Sequence, residues 1–251
     1  LAANSCLSNY EIEEIIKSTT EPIADASSYT GLIGTGRLNA YKAVLKASQW
    51  GNTSLEVTNG QNITLNSKMM YDNIYVRTGG TLTISNTTIY MDNWGKIVVE
   101  KGGKLFINNS IICAHPVNSC ITQPYVWKGI EVEGQPTYDQ YPTSNQGYVS
   151  ITNNSILKDA RNCISTFPTD ANGNIIWSKA GGGIIIAYNS IFRNNWRHVE
   201  LTSYHRPQVN GVEQNNLCRF SSCVFETDLT QLTASSQAFQ KMFTNWDTKG
   251  V

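Results

Sequence analysis

What this chain lacks narrows it first. Charge of one sign is missing: 19 basic and 19 acidic side chains balance, charged residues make up only 15%, and no long run of either sign occurs. Such a surface does not draw in nucleic acid or an anionic membrane from a distance, so neither is assigned as a partner. No apolar run approaches the roughly 18 residues that span a bilayer. Histidine is scarce, at three, and no Cys-x-x-Cys pair faces a second one, so zinc-site spacing is absent. Gly34-Thr-Gly36 is followed by no Lys-Ser/Thr and led by no strand, which excludes a phosphate loop. An initiator Met and a leader segment are also missing, and Lys249-Gly-Val251 stops where a strand is about to begin, so both ends read as cut.

What is present is a repeat. Gly79-Gly-Thr-Leu-Thr-Ile-Ser-Asn-Thr-Thr-Ile89 returns 23 residues on as Gly102-Gly-Lys-Leu-Phe-Ile-Asn-Asn-Ser-Ile-Ile112, and Ile74-Tyr-Val76 returns at the same offset as Ile97-Val-Val99. Self-similarity at such a period marks a solenoid. Each unit holds apolar-x-apolar runs, the period-2 pattern of strands with one buried face, separated by short turns of Gly, Asn, Ser and Thr. The pattern resembles the right-handed parallel β-helix family over roughly residues 52–251. The expected fold is mainly β: a right-handed parallel β-helix of about six coils over 51–251, preceded by a short α-helical segment over 1–50.

Spacing lays out the coils. Leu55/Val57 precedes Ile63/Leu65 by eight residues, and Ile74/Val76 with Leu82/Ile84 and Ile97/Val99 with Leu105/Ile107 repeat that step. In the next three coils the same corner is longer: Ile130/Val132 to Val149/Ile151 takes 19 residues, Ile164 to Ile184/Ile186 takes 20, and Val199/Leu201 to Cys218/Phe220 takes 19. Third strands placed at Ile89, Ile156 and Ile191 lead to Ile97, Ile164 and Val199, eight residues on in each case. Asn86, Asn109, Asn153, Asn154 and Asn189 fall at turns, where asparagine tolerates left-handed backbone and can stack its amide. Their overlap with Asn-x-Ser/Thr at Asn52, Asn62, Asn86, Asn108 and Asn153 reads as turn composition. Trp94, Trp127 and Trp196 each stand just before a first strand and read as a packing column. Residues 113–125 form a separate insert in which Cys113 and Cys120 can pair if the compartment is oxidising; Cys163, Cys218 and Cys223 read as small buried residues.

Enlarged corners on one face of a solenoid commonly build its binding surface. The loops at about 133–148, 166–182 and 202–216 should form one wall carrying Tyr138, Tyr141, Tyr148, Phe167, Trp177, Tyr204 and His205, with Asp139, Asp170, Lys179 and Arg206 among them. Aromatic faces beside scattered charges suit a polysaccharide or a protein ligand; the plainer alternative is that the loops cover one another. Glycosidic cleavage needs two carboxylates at a set separation, and Glu131 and Glu200, two coils apart on first strands, are the least poor pair.

The first fifty residues differ. Ser8-Asn-Tyr-Glu11 is a capping box opening a helix to about Ser18, with Ile12, Ile15 and Ile16 as its buried stripe. Asn39 caps a second helix from Ala40 to about Ser48, with Tyr41, Val44 and Leu45 as its apolar face. Helix, loop and then Gly34-Thr-Gly-Arg-Leu-Asn-Ala-Tyr-Lys-Ala-Val44 resemble the C-terminal end of a subtilisin-like serine protease domain, over residues 1 to about 48. The resemblance implies a secreted or cell-surface endopeptidase whose protease domain lies upstream in the same polypeptide. It also implies that this chain alone is inactive: the family's Gly-Thr-Ser motif is absent, and His115, His198 and His205 lie in the solenoid half without the family's flanking residues. No catalytic, cofactor-binding or metal-binding residue is assigned. A carbohydrate-binding or carbohydrate-cleaving β-helix with a helical cap, or a surface adhesin, is the alternative.

Overall fold

The structure, a computed structural model, describes residues 3–29, 34–51, 53–115, 126–206, 212 and 214–228. It is mainly β. Two α-helices, α1 (Asn9–Ser18) and α2 (Ala40–Gln49), precede strands that pair in parallel in one ten-stranded and one six-stranded sheet. The arrangement fits a stacked β-solenoid, and each circuit is called a rung below.

The stacking follows from three columns of apolar residues held in register. First strands align Leu55, Ile74, Ile97, Ile130, Ile164 and Val199. Second strands align Ile63, Leu82, Leu105, Val149 and Ile185. Third strands align Met69, Ile89, Ile112, Leu157, Phe192 and Phe225. Most of these side chains are fully buried, each stabilising by about 1.5–3 kcal/mol relative to exposure. Two long strands, Met69–Val76 and Thr88–Val99, run unbroken from a third strand into the next first strand, fusing those two faces into the larger sheet. A register shift between Tyr71 and Asn73 lets the ladder follow the bend.

Two expected registers move by one residue. Ile185 and Ala187, not Ile184 and Ile186, pair with Val149 and Ile151, and Leu157 and Phe192, not Ile156 and Ile191, continue the Ile112 column. In each case consecutive apolar residues remove the alternation that would fix the inward position, and a slip of one reverses every side chain. The turn asparagines fulfil their role: Asn86, Asn109, Asn153, Asn154 and Asn189 all take positive φ, and the Asn109 amide donates to Asn86 Oδ1 at 2.8 Å. The tryptophan column divides. Trp127 is fully buried and donates from Nε1 to the Lys158 carbonyl at 2.8 Å, whereas Trp94 is half exposed.

Both helices start where expected. The Ser8 and Glu11 capping box is formed in both directions, and Asn39 Oδ1 accepts from the Lys42 amide at 2.9 Å. Ile15 is buried, with Leu7 and Ala47 it joins the same hydrophobic cluster as the rungs, and Ile12 packs against it, but Ile16, expected in the same stripe, is exposed. The α2 face is not the one expected. Ala43 and Ala47 pack inward, and Tyr41, Val44 and Leu45 are exposed. Cys6 is disulfide-bonded, while Cys113, Cys163, Cys218 and Cys223 are free thiols. The pairing expected at Cys113 therefore does not form: that residue is a buried strand position in register with Tyr90. Cys120, most of the 113–125 insert, Asn52 and the last residues fall outside the described part.

Candidate functional site

The three enlarged corners lie side by side, as first strands stacked in register require. A backbone tie links the first two, from Gly134 N–H to the Lys179 carbonyl at 2.8 Å, and Gly181 N–H closes the second loop on the Thr166 carbonyl, also at 2.8 Å. Gly134 is needed there, since a Cβ would lie 1.7 Å from the Gly181 carbonyl oxygen. Two fully buried glutamines do the remaining joining. Gln146 accepts from the Gln135 amide at 2.6 Å and donates to the Tyr138 carbonyl at 2.9 Å, closing the first loop on itself. Gln140 donates to the Gly182 carbonyl and accepts from the Leu217 amide, bridging all three loops.

This wall sorts the aromatic candidates. Tyr138, Tyr141 and Trp177 are 51%, 73% and 70% exposed, and His205 is exposed as well. Phe167 is buried at 4% and belongs to the core side of its loop, so it offers no ring to a ligand. Tyr148 lies on a second strand against Phe106, with ring centroids 5.9 Å apart. Tyr204 is half-buried and donates from its hydroxyl to the Tyr138 carbonyl at 2.6 Å. Arg206 pairs with Asp139 at 2.9 Å; the Tyr141 amide foremost, and that guanidinium, hold the Asp139 carboxyl below its ordinary range. Asp170 caps its own turn, lowered chiefly by the Asn174 amide.

Acid and base groups on this face are already engaged. Glu131 and Glu200 are two rungs apart through Ser165, as expected. Glu131 is buried, with one oxygen on Lys96 Nζ at 2.7 Å and the other on Thr169 Oγ1 at 2.5 Å, and Glu200 pairs with Arg197 at 3.3 Å. Neither is poised as one half of a glycosidase pair. The two buried thiols are held protonated: burial pushes Cys113 up to about 12 and Cys163 well above the ordinary thiol value. His198 is half-buried and lowered by desolvation, and His115 meets the Glu11 carboxylate. Among the described residues no three His, Cys, Asp or Glu side chains gather to hold a metal.

Two features escaped the sequence reading. Asp72 and Asp92 meet at neighbouring rungs, and burial first, then the Asp92 charge, raises the Asp72 carboxyl. The signal was the parallel pair Tyr71-Asp-Asn73 and Met91-Asp-Asn93. A polar cavity of about 660 Å³ runs between α1 and the asparagine corner, lined among others by Lys17, Lys68, Asn86, Thr88 and Asn109. No protein-family model matches the chain, and no curated protein or solved structure is similar to it.

Proposed function

We propose that the chain is the trailing part of a secreted subtilisin-like serine endopeptidase, joined to a right-handed parallel β-helix that serves as a binding or spacing module and is not itself catalytic. One observation carries the reading. Leu38, Tyr41, Val44 and Leu45 form an exposed apolar face on and beside α2, turned away from the rungs. A patch of this kind marks a surface built to be covered. In the resemblance, that helix is the last of the protease domain and packs on its core. The disulfide at Cys6 supports an oxidising compartment, and the engaged carboxylates support a non-catalytic wall.

The coding sequence upstream of Leu1 tests the proposal. Gly-Thr-Ser and a Pro within about one helix length are expected there, and a longer polypeptide carrying them should cleave casein while this chain alone does not. An upstream sequence without that motif, or peptide hydrolysis by this chain, refutes it. The exposed rings of Tyr141 and Trp177 are the module's candidate contacts, and a glycan array with and without Tyr141→Ala and Trp177→Ala reads whether they bind sugar.

A further inference from the structure

A second aromatic surface lies at the opposite end of the first strands from the enlarged loops. Trp94, Trp127, Arg161 and Trp196 stand three residues before Ile97, Ile130, Ile164 and Val199 in four successive rungs, with Trp127 paired through its backbone to Ala160, the residue before Arg161. Trp127 turns into the core, and the other three stay at the surface. The Arg161 guanidinium lies 5.7 Å from the Trp94 ring centre and 5.2 Å from that of Trp196, and Arg197 lies 5.7 Å from the latter. These separations fit cation–π contact. Arg161 is exposed, and no carboxylate among the described residues pairs with it.

Trp94 is unusual in its backbone as well. Its φ is +61°, a region that bulky side chains rarely occupy and that accumulates where function, not packing, requires a conformation. Here the conformation holds a half-exposed indole outward, within cation–π distance of a guanidinium that no carboxylate among the described residues pairs with.

From this we infer that Trp94, Arg161 and Trp196 form a binding strip for a uronic-acid polysaccharide. The Arg161 guanidinium, which pairs with no carboxylate among the described residues, can take a planar carboxylate in bidentate geometry, which an ammonium cannot do. In a uronate the carboxylate is bonded directly to the sugar ring, so a carboxylate seated on Arg161 brings the ring's C–H face alongside the flanking indoles. A solenoid repeats its surface about every 4.8 Å along the axis, which suits a ligand that is itself a repeating chain. Charge complementarity favours an anionic ligand: Lys128, whose amide bonds the Gly95 carbonyl beside Trp94, adds a second cation to Arg161, while Arg197 is held by Glu200. The cations are too few to track the phosphates of a single-stranded nucleic acid. This site is separate from the loop wall and stands whether or not a protease domain precedes it.

Titration of the whole chain with alginate, followed by tryptophan fluorescence and calorimetry, tests the strip. Alginate should bind and weaken with added salt, and dextran should not bind. Arg161→Gln, Arg161→Lys and Trp94→Ala should each weaken alginate by about tenfold or more without lowering the thermal midpoint, while Trp177→Ala leaves it unchanged. If Trp94→Ala unfolds the chain, the two exposed Arg161 variants decide the matter. Absence of alginate binding, binding unaltered in the Arg161 variants, or tighter binding of dextran, dextran sulfate or poly(dT) would each overturn the inference.

Discussion

Glu11 performs two tasks with one carboxylate. Its Oε2 accepts from the Ser8 amide at 2.8 Å, starting α1, while its Oε1 meets His115 of the rungs. Burial raises the carboxyl, but the bonds from His115 and Ser8 outweigh that and hold it below its ordinary 4.5. The folded group therefore ionises at lower pH than the unfolded one, so its contribution is complete above about pH 4.5 and is lost as the pH falls through the folded value. Glu11→Gln should cost about 1–3 kcal/mol at pH 7, and the gap from wild type should close in thermal melts taken toward pH 3. Asp72 behaves oppositely. Its carboxyl is raised in the fold, so its contribution is complete below about 3.8 and is lost as the pH rises through the folded value. Asp92→Asn should therefore stabilise the chain by a few tenths of a kcal/mol at pH 7 and by nothing at pH 3, as urea midpoints at the two pH values would show.

Among elements, the enlarged loops depend on buried amides more than on their aromatics. Gln140→Ala leaves the Gly182 carbonyl and the Leu217 amide without their partner, a loss of about 1–3 kcal/mol. The expected result is faster limited proteolysis within 133–148, with little change in the circular dichroism of the sheets. None of this was readable beforehand, because the partners of Gln140 lie 42 and 77 residues away and nothing local marks a glutamine as buried. The strands were readable wherever polar residues alternate with apolar ones, as in Thr81–Ser85 and Lys104–Asn108, whose burial patterns match. Register failed at Ile184-Ile-Ile186 and at Ile156-Leu157, where the sequence offers several equivalent inward residues and long-range pairing chooses among them. The helix starts were legible because capping is local. The buried face of α2 was not, since Ala43 and Ala47, and not the helix's stripe of larger apolar residues, pack inward.

At the scale of the whole molecule, one hydrophobic cluster extends from Leu7 and Ala47 to Phe192, so the helices and rungs share a core across the boundary expected near residue 50. The outward face of α2 is the exception. Replacing Tyr41 by Ser and Val44 by Lys should leave the melting temperature of this chain within a few degrees, as thermal melts would show. In a longer polypeptide that covers the patch, the same pair should be strongly destabilising. Equal tolerance in both would argue against a covering domain.

The parallel ladders have a mechanical corollary. Their hydrogen bonds point along the stacking direction, from one circuit to the next. A pull applied at the two termini therefore loads those bonds end-on and one layer at a time, with no broad set of strands sharing the force in shear. Under tension such a column should yield by unzipping circuit by circuit from its last, paying out length gradually, and should rewind when released.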